Sequence, residues 1–126
     1  MRTMKVLGSL ALVAAITSCA GGPTSASATF DLVEYDVVGP SQLDPATKAI
    51  DVTNSGQYPH TLVITDLSGE VVAASSLISP GEGAELALDL EPGRYSFTCR
   101  IVVESPEGEL IDHFEQGMTT SVSVTG

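Results

Sequence analysis

Basic side chains, histidine, cysteine and tryptophan are all scarce in this 126-residue chain. Five Lys and Arg stand against 16 Asp and Glu, with two His, two Cys and no Trp. The resulting negative field repels phosphate backbones, which argues against nucleic-acid binding and would attract a basic protein or a cation. Acidity of this size also keeps a small domain soluble, and charge alone does not separate these uses. No Gly-rich phosphate loop, zinc-type cysteine spacing, His-x-His pair or internal repeat is present. Cys99 and His113 could pair as nucleophile and base, but no third orienting residue or oxyanion motif accompanies them, so a non-enzymatic protein is expected. A sustained helical period with caps is also missing, which removes the all-α classes.

What is present begins with a targeting segment. Arg2 and Lys5 precede the apolar run VLGSLALVAAIT, and small residues lead to Cys19. A membrane-spanning helix needs about 20 apolar residues, and Ser9, Thr17 and Ser18 dilute this one. The stretch ITSC resembles the bacterial lipobox. That resemblance implies a lipoprotein signal peptide over 1–18, lipidation of Cys19, and a membrane anchor holding the protein on the extracytoplasmic face. An uncleaved anchor, or an ordinary signal peptide with a chance cysteine, is the alternative. Residues 19–29, rich in Gly, Ser, Ala and Thr, read as a flexible tether. Ten such residues span roughly 16 to 19 Å as a random coil. Without the leader, Lys48, Arg94 and Arg100 face all 16 acidic residues, and 3 minus 16 leaves a net charge of −13.

Residues 30–126 read as short strands separated by turns. TFDLVEYDVV, KAIDVTNSGQYPHTLVIT, AELALDL, GRYSFTC and TTSVSVT alternate or run apolar, with Pro40, SPGEG and EPG between them. Leu86, Leu88 and Leu90 share one face, as do Tyr95, Phe97 and Cys99. Several such strands in about a hundred residues predict an all-β Greek-key sandwich.

Once the leader is removed and Cys19 lipidated, Cys99 is the one free thiol, beside His60, His113 and Met118. It has no partner for a disulfide within the chain. Two imidazoles and a thiolate in a plane, with a weak axial thioether, are the ligand set of a type 1 copper site. Each residue also has an ordinary reading: Cys99 and Met118 as core, His60 as a turn residue after Pro59, His113 as a surface residue.

The stretches NSGQYPHTLVI, LEPGRYSFTC and DHFEQGMTTSVSV resemble the ligand-bearing segments of the cupredoxins, the type 1 blue-copper family, across roughly residues 30–126. The resemblance implies one copper ion, with His60, Cys99 and His113 equatorial and Met118 axial, and His113 the ligand nearest solvent. Two departures stand out. Thirteen residues separate Cys99 from His113, where the family has a short loop. Thr61 also stands where an asparagine often ties the ligand loops together.

The long loop carries its own instructions. Ser105, Pro106, Glu107 and Gly108 suit a type I turn followed by a left-handed glycine, a three-residue hairpin loop with a bulge. Its arms would then pair Ser105 with Glu109 and Ile101 with His113. The same register continued would set Cys99 opposite Glu115, on the face of His113. A two-residue turn would send Cys99 and His113 to opposite faces.

The function implied is single-electron transfer by a copper-binding, membrane-tethered lipoprotein, serving a basic redox partner. A metal-free interaction module at the cell surface and a copper carrier or storage protein are the alternatives.

Overall fold

The computed structural model describes residues 27–126, so the expected signal peptide, Cys19 and most of the tether lie outside the described residues. No helix among them is long and apolar enough to cross a membrane. Eleven strands are formed: β1 Ser27–Val33, β2 Asp36–Val38, β3 Gln42–Leu43, β4 Ala49–Asn54, β5 Val63–Thr65, β6 Val71–Ala74, β7 Gly83–Ala87, β8 Gly93–Thr98, β9 Val102–Glu104, β10 Leu110–Asp112 and β11 Thr119–Val124. A four-stranded sheet has the order β2-β1-β4-β7 and a five-stranded sheet the order β3-β11-β8-β5-β6. They pack as a sandwich, and β9 and β10 form a separate ribbon.

The alternation read from the sequence produces the two inner faces. Phe30 and Leu32 of β1, Ile50 and Val52 of β4, and Leu86 of β7 are buried from one sheet. Ile64 of β5, Tyr95 and Phe97 of β8, and Val122 and Val124 of β11 are buried from the other. Phe30 and Phe97 meet across the sandwich with ring centroids 4.8 Å apart. Truncating either to alanine would cost about 3 to 5 kcal/mol, since each lies at the centre of the packed layer.

One boundary differs from the sequence reading. β1 begins at Ser27, and Ala28 packs on the core, so residues 27–29 belong to the folded domain and not to the tether. Parallel pairing with β4 draws them in, Ser27 beside Ala49 and Ala28 beside Ile50.

The sequence reading of the hairpin holds at its tip. β9 and β10 pair Glu104 with Leu110, Val103 with Ile111 and Val102 with Asp112. Gly108 N–H donates to Ser105 O at 2.9 Å, Ser105 N–H donates to Glu109 O at 2.8 Å, and Gly108 takes φ +88°. The Ser105 hydroxyl also accepts from Glu107 and Glu109 N–H, at 3.2 and 3.1 Å. Val103 and Ile111 are half-buried on one face while Val102 and Leu110 are exposed on the other.

Candidate metal centre

Each expected ligand is held from the backbone outward. His60 exchanges a pair of hydrogen bonds with Ile78, N–H to O at 3.0 Å and O to N–H at 2.8 Å. The loop leading to it is braced by Asn54, which is buried at 2% exposure. Asn54 Nδ2 donates to Tyr58 O and Ile78 O, both at 2.8 Å, and its Oδ1 accepts from Gly56 N–H at 2.8 Å. Thus NSG forms an Asx turn, and the same side chain staples it to the neighbouring loop.

Cys99 follows β8, and its partner is not the one expected. β8 and β11 pair Thr98 with Thr119, and Cys99 N–H donates to Met118 O at 3.0 Å. Cys99 therefore lies opposite Met118 rather than Glu115, a displacement of three residues. The hairpin register extends only to His113, whose N–H donates to Ile101 O at 2.9 Å. The difference is absorbed by a turn after His113: Gln116 N–H donates to Asp112 O, Gly117 N–H to Phe114 O and Met118 N–H to His113 O, at 3.1, 2.9 and 3.1 Å. Asp112 Oδ1 caps this turn by accepting from Phe114 N–H at 2.9 Å, and Gly117 takes φ +98°. Two competing ladders meet here, and the longer one in the five-stranded sheet fixes Cys99.

The side chains of His60, Cys99, His113 and Met118 are all fully buried. His60 Nδ1 and His113 Nδ1 are 3.1 Å apart, and each is 3.7 Å from Cys99 Sγ. The point equidistant from three atoms so spaced is about 2.0 Å from each, close to metal–imidazole bonds of about 2.0 to 2.1 Å and slightly inside a metal–thiolate bond of about 2.3 Å. The triangle therefore fits a single ion without moving its backbone supports. Met118 is tied to both ligand segments through its own N–H and O, which puts a buried thioether-bearing residue beside the triangle.

Burial keeps the His113 imidazole and the Cys99 thiol in their neutral forms. Burial, and then the neighbouring His60, hold His113 below the ordinary histidine value despite Glu34 and Asp112, so its imidazole is neutral with a lone pair to give. Burial pushes the Cys99 thiol up, outweighing hydrogen bonds from the Thr61 and Ile101 backbone; a bound cation would have to displace its proton. His113 Nε2 is buried with no hydrogen-bond partner. No protein acceptor or donor therefore fixes the tautomer of this ring from its Nε2 side.

Four neighbours went unassigned from the sequence. Glu34, in the turn between β1 and β2, places Oε1 2.7 Å from His60 Nε2. Tyr35 meets His113 edge-on with centroids 5.2 Å apart, and Tyr58 lies 5.9 Å from it. These rings cover His113, whose side chain is fully buried like those of the other three expected ligands, so exposure does not rank one of the four as nearest solvent. Asn54 is the fourth; its Asn-Ser-Gly turn was legible, its buried bracing was not. Thr61 does link the ligand loops in place of an asparagine, its hydroxyl accepting from Arg100 N–H at 3.5 Å. Arg100 itself turns outward over the Phe114 ring, 4.5 Å from the centroid.

A Greek-key sandwich with two imidazoles and a thiolate converging at one buried end defines a small metal-binding β protein of the kind suited to copper. The chain belongs to the cupredoxin-like domain family, whose pattern it matches over residues 8–111. That match includes His60 and Cys99 and stops short of His113 and Met118. No curated protein matches the chain by sequence. Among solved structures, it is similar to an azurin, Az-iso2, from the obligate methylotroph Methylomonas sp. strain J, with a TM-score of 0.58 and 13% identity over 82% of this chain and 100% of that one. It is also similar to a purple cupredoxin from Nitrosopumilus maritimus, with a TM-score of 0.51 and 23% identity over 78% of this chain and 99% of that one. These likenesses establish the fold.

Proposed function

We propose that the protein binds one type 1 copper ion, which His60, Cys99 and His113 would hold with Met118 as the fourth donor, and carries single electrons outside the cytoplasm while tethered by a lipid on Cys19. The observation that carries this reading is the triangle of Nδ1, Nδ1 and Sγ atoms with sides of 3.1, 3.7 and 3.7 Å in a fully buried pocket. Bound copper would supply a one-electron couple, its Cu(I) state favoured by thiolate and thioether and both states accepting imidazole.

The protein's own work is to hold the donors still and dry. His60 is locked by Ile78 and Asn54's loop, Cys99 by the β8–β11 ladder, and His113 by Ile101 on one side and Met118 on the other. Such fixed donors limit rearrangement when charge changes. Tyr35 and Tyr58, both half-buried, separate His113 from solvent, so electrons would pass by way of these rings. Full burial of the four ligand residues favours retention of the ion over rapid hand-off to another protein. The mature charge of −13 suits a basic redox partner, and the hairpin offers its exposed Val102 and Leu110 as a docking edge beside the site.

The test is a copper titration of the purified protein followed by absorption, beside Cys99→Ser. An intense thiolate-to-copper band that saturates at one equivalent and vanishes in Cys99→Ser is expected. Identical spectra from the two proteins would overturn the assignment.

A further inference from the structure

Among the described residues, Glu34 is the carboxylate hydrogen-bonded to the side chain of an expected ligand, and several features build that contact. Its Oε1 is 2.7 Å from His60 Nε2, and the same carboxylate accepts from Gln57 N–H at 3.0 and 2.9 Å and from Tyr58 N–H at 3.1 Å. Gly56 leaves the room required: a β-carbon there would stand 2.3 Å from Glu34 Oε1 and 2.8 Å from His60 Nε2. The loop before His60 thus donates to Glu34 twice and makes way for it once. Two backbone N–H groups and an imidazole nitrogen thus converge on one carboxylate, a surrounding suited to an ionised acceptor.

Two consequences follow from an ionised acceptor at this position. It fixes the hydrogen of His60 on Nε2, leaving the Nδ1 lone pair aimed at His113 Nδ1 and Cys99 Sγ. It also places negative charge on the far side of a ligand ring, which makes that ring a stronger donor and favours the more positive state of an ion held there. A neutral acceptor would provide the first effect without the second.

We propose that Glu34 is a positioning residue that sets the tautomer of His60 and biases the bound copper toward its oxidised state. The proposal rests on the copper reading of His60, Cys99 and His113. Gly56 belongs to the same device, since any side chain there pushes the carboxylate off the imidazole.

The test compares the full-length protein with Glu34→Gln, Glu34→Ala and Gly56→Ala. Imidazole ¹⁵N spectra of the metal-free proteins report the tautomer, and potentiometry of the copper-loaded proteins reports the relative affinity for Cu(I) and Cu(II). In the parent and in Glu34→Gln, His60 is expected to carry its hydrogen on Nε2, since the Gln carbonyl still accepts it. In Glu34→Ala and Gly56→Ala a mixture of tautomers is expected. Glu34→Gln should raise the preference for Cu(I) over Cu(II) about tenfold, a rise of about 59 mV for a one-electron couple. A Glu34→Gln potential that stays put or falls, or a parent His60 with a bare Nε2, would overturn the proposal. A parent that shows no thiolate-to-copper band would remove the copper reading and this inference together, whereas normal copper binding with an unmoved Glu34→Gln potential would remove this inference alone. Should Glu34→Ala or Gly56→Ala fail to fold, Glu34→Gln still decides, because it keeps the size of the side chain and an acceptor.

Discussion

Asn54 offers the strongest test of how the loop bearing His60 is held. Asn54→Ala removes two donations to carbonyls and one acceptance from an N–H, all at 2.8 Å, from a side chain that is 2% exposed. Each bond contributes about 1 kcal/mol net, and buried groups left unpaired cost about 1 to 3 kcal/mol apiece when water cannot replace the partner. A loss of about 3 to 5 kcal/mol is therefore expected, a large share of a typical total of about 5 to 15 kcal/mol. In a domain of about a hundred residues, even the lower figure lowers the melting temperature by at least about 12 °C. Asn54→Asp should be no milder, because it keeps the acceptor for Gly56 but turns a carboxylate toward two carbonyl oxygens. Urea unfolding of the metal-free protein measures both. Since Gly56, Tyr58 and His60 all ride on this loop, copper affinity should fall by about tenfold or more, in the range for residues that orient ligands. A stability loss below about 1 kcal/mol would refute the view that Asn54 braces the site.

Three further outcomes are expected. Metal-free stability should fall on both sides of neutrality. His113 has a folded pKa below its unfolded value of about 6.5, so its contribution is lost as pH drops below that value; Glu34 follows the same sign from about 4.5 downward; Cys99, raised in the fold, loses its contribution as pH climbs past about 8.5. Urea midpoints from pH 4 to 10 would show this, and a midpoint rising toward pH 5 would contradict it. Removing residues 102–110 leaves Ile111 and Asp112 as a short turn between Ile101 and His113, so the copper band should survive while electron exchange with a basic partner slows; unchanged rates in stopped-flow mixing would argue against a docking role for the hairpin. Gly108→Ala, strained at φ +88° with no neighbour in contact, should cost about 1 kcal/mol and leave the copper spectrum as it was.

What the chain spells out locally, it spells out well. Alternation placed Phe30, Leu32, Tyr95, Phe97 and Cys99 inward, and Ser105-Pro106-Glu107-Gly108 encoded both the turn and the pairing of the hairpin arms. Exposed β6, Val71–Ala74, has no alternation to betray it, and β3 is only two residues long; neither was foreseen. The partner of Cys99 was misjudged because hairpin register is local, whereas its true neighbour is chosen by the β8–β11 ladder and a turn at 113–117 that no short motif announces. Glu34 and Tyr35 were illegible for a similar reason. They reach the site from a turn 26 positions before His60, and only the packing of the two sheets brings them there. Covering His113 is likewise a tertiary effect.

The central claim is that one ion is held by a thiolate and two imidazoles at the end of the sandwich, and copper-edge X-ray absorption of the loaded protein tests it most directly. One sulfur at about 2.3 Å or slightly less and two nitrogens at about 2.0 Å are expected. A first shell of oxygen and nitrogen alone, with no sulfur, would contradict it.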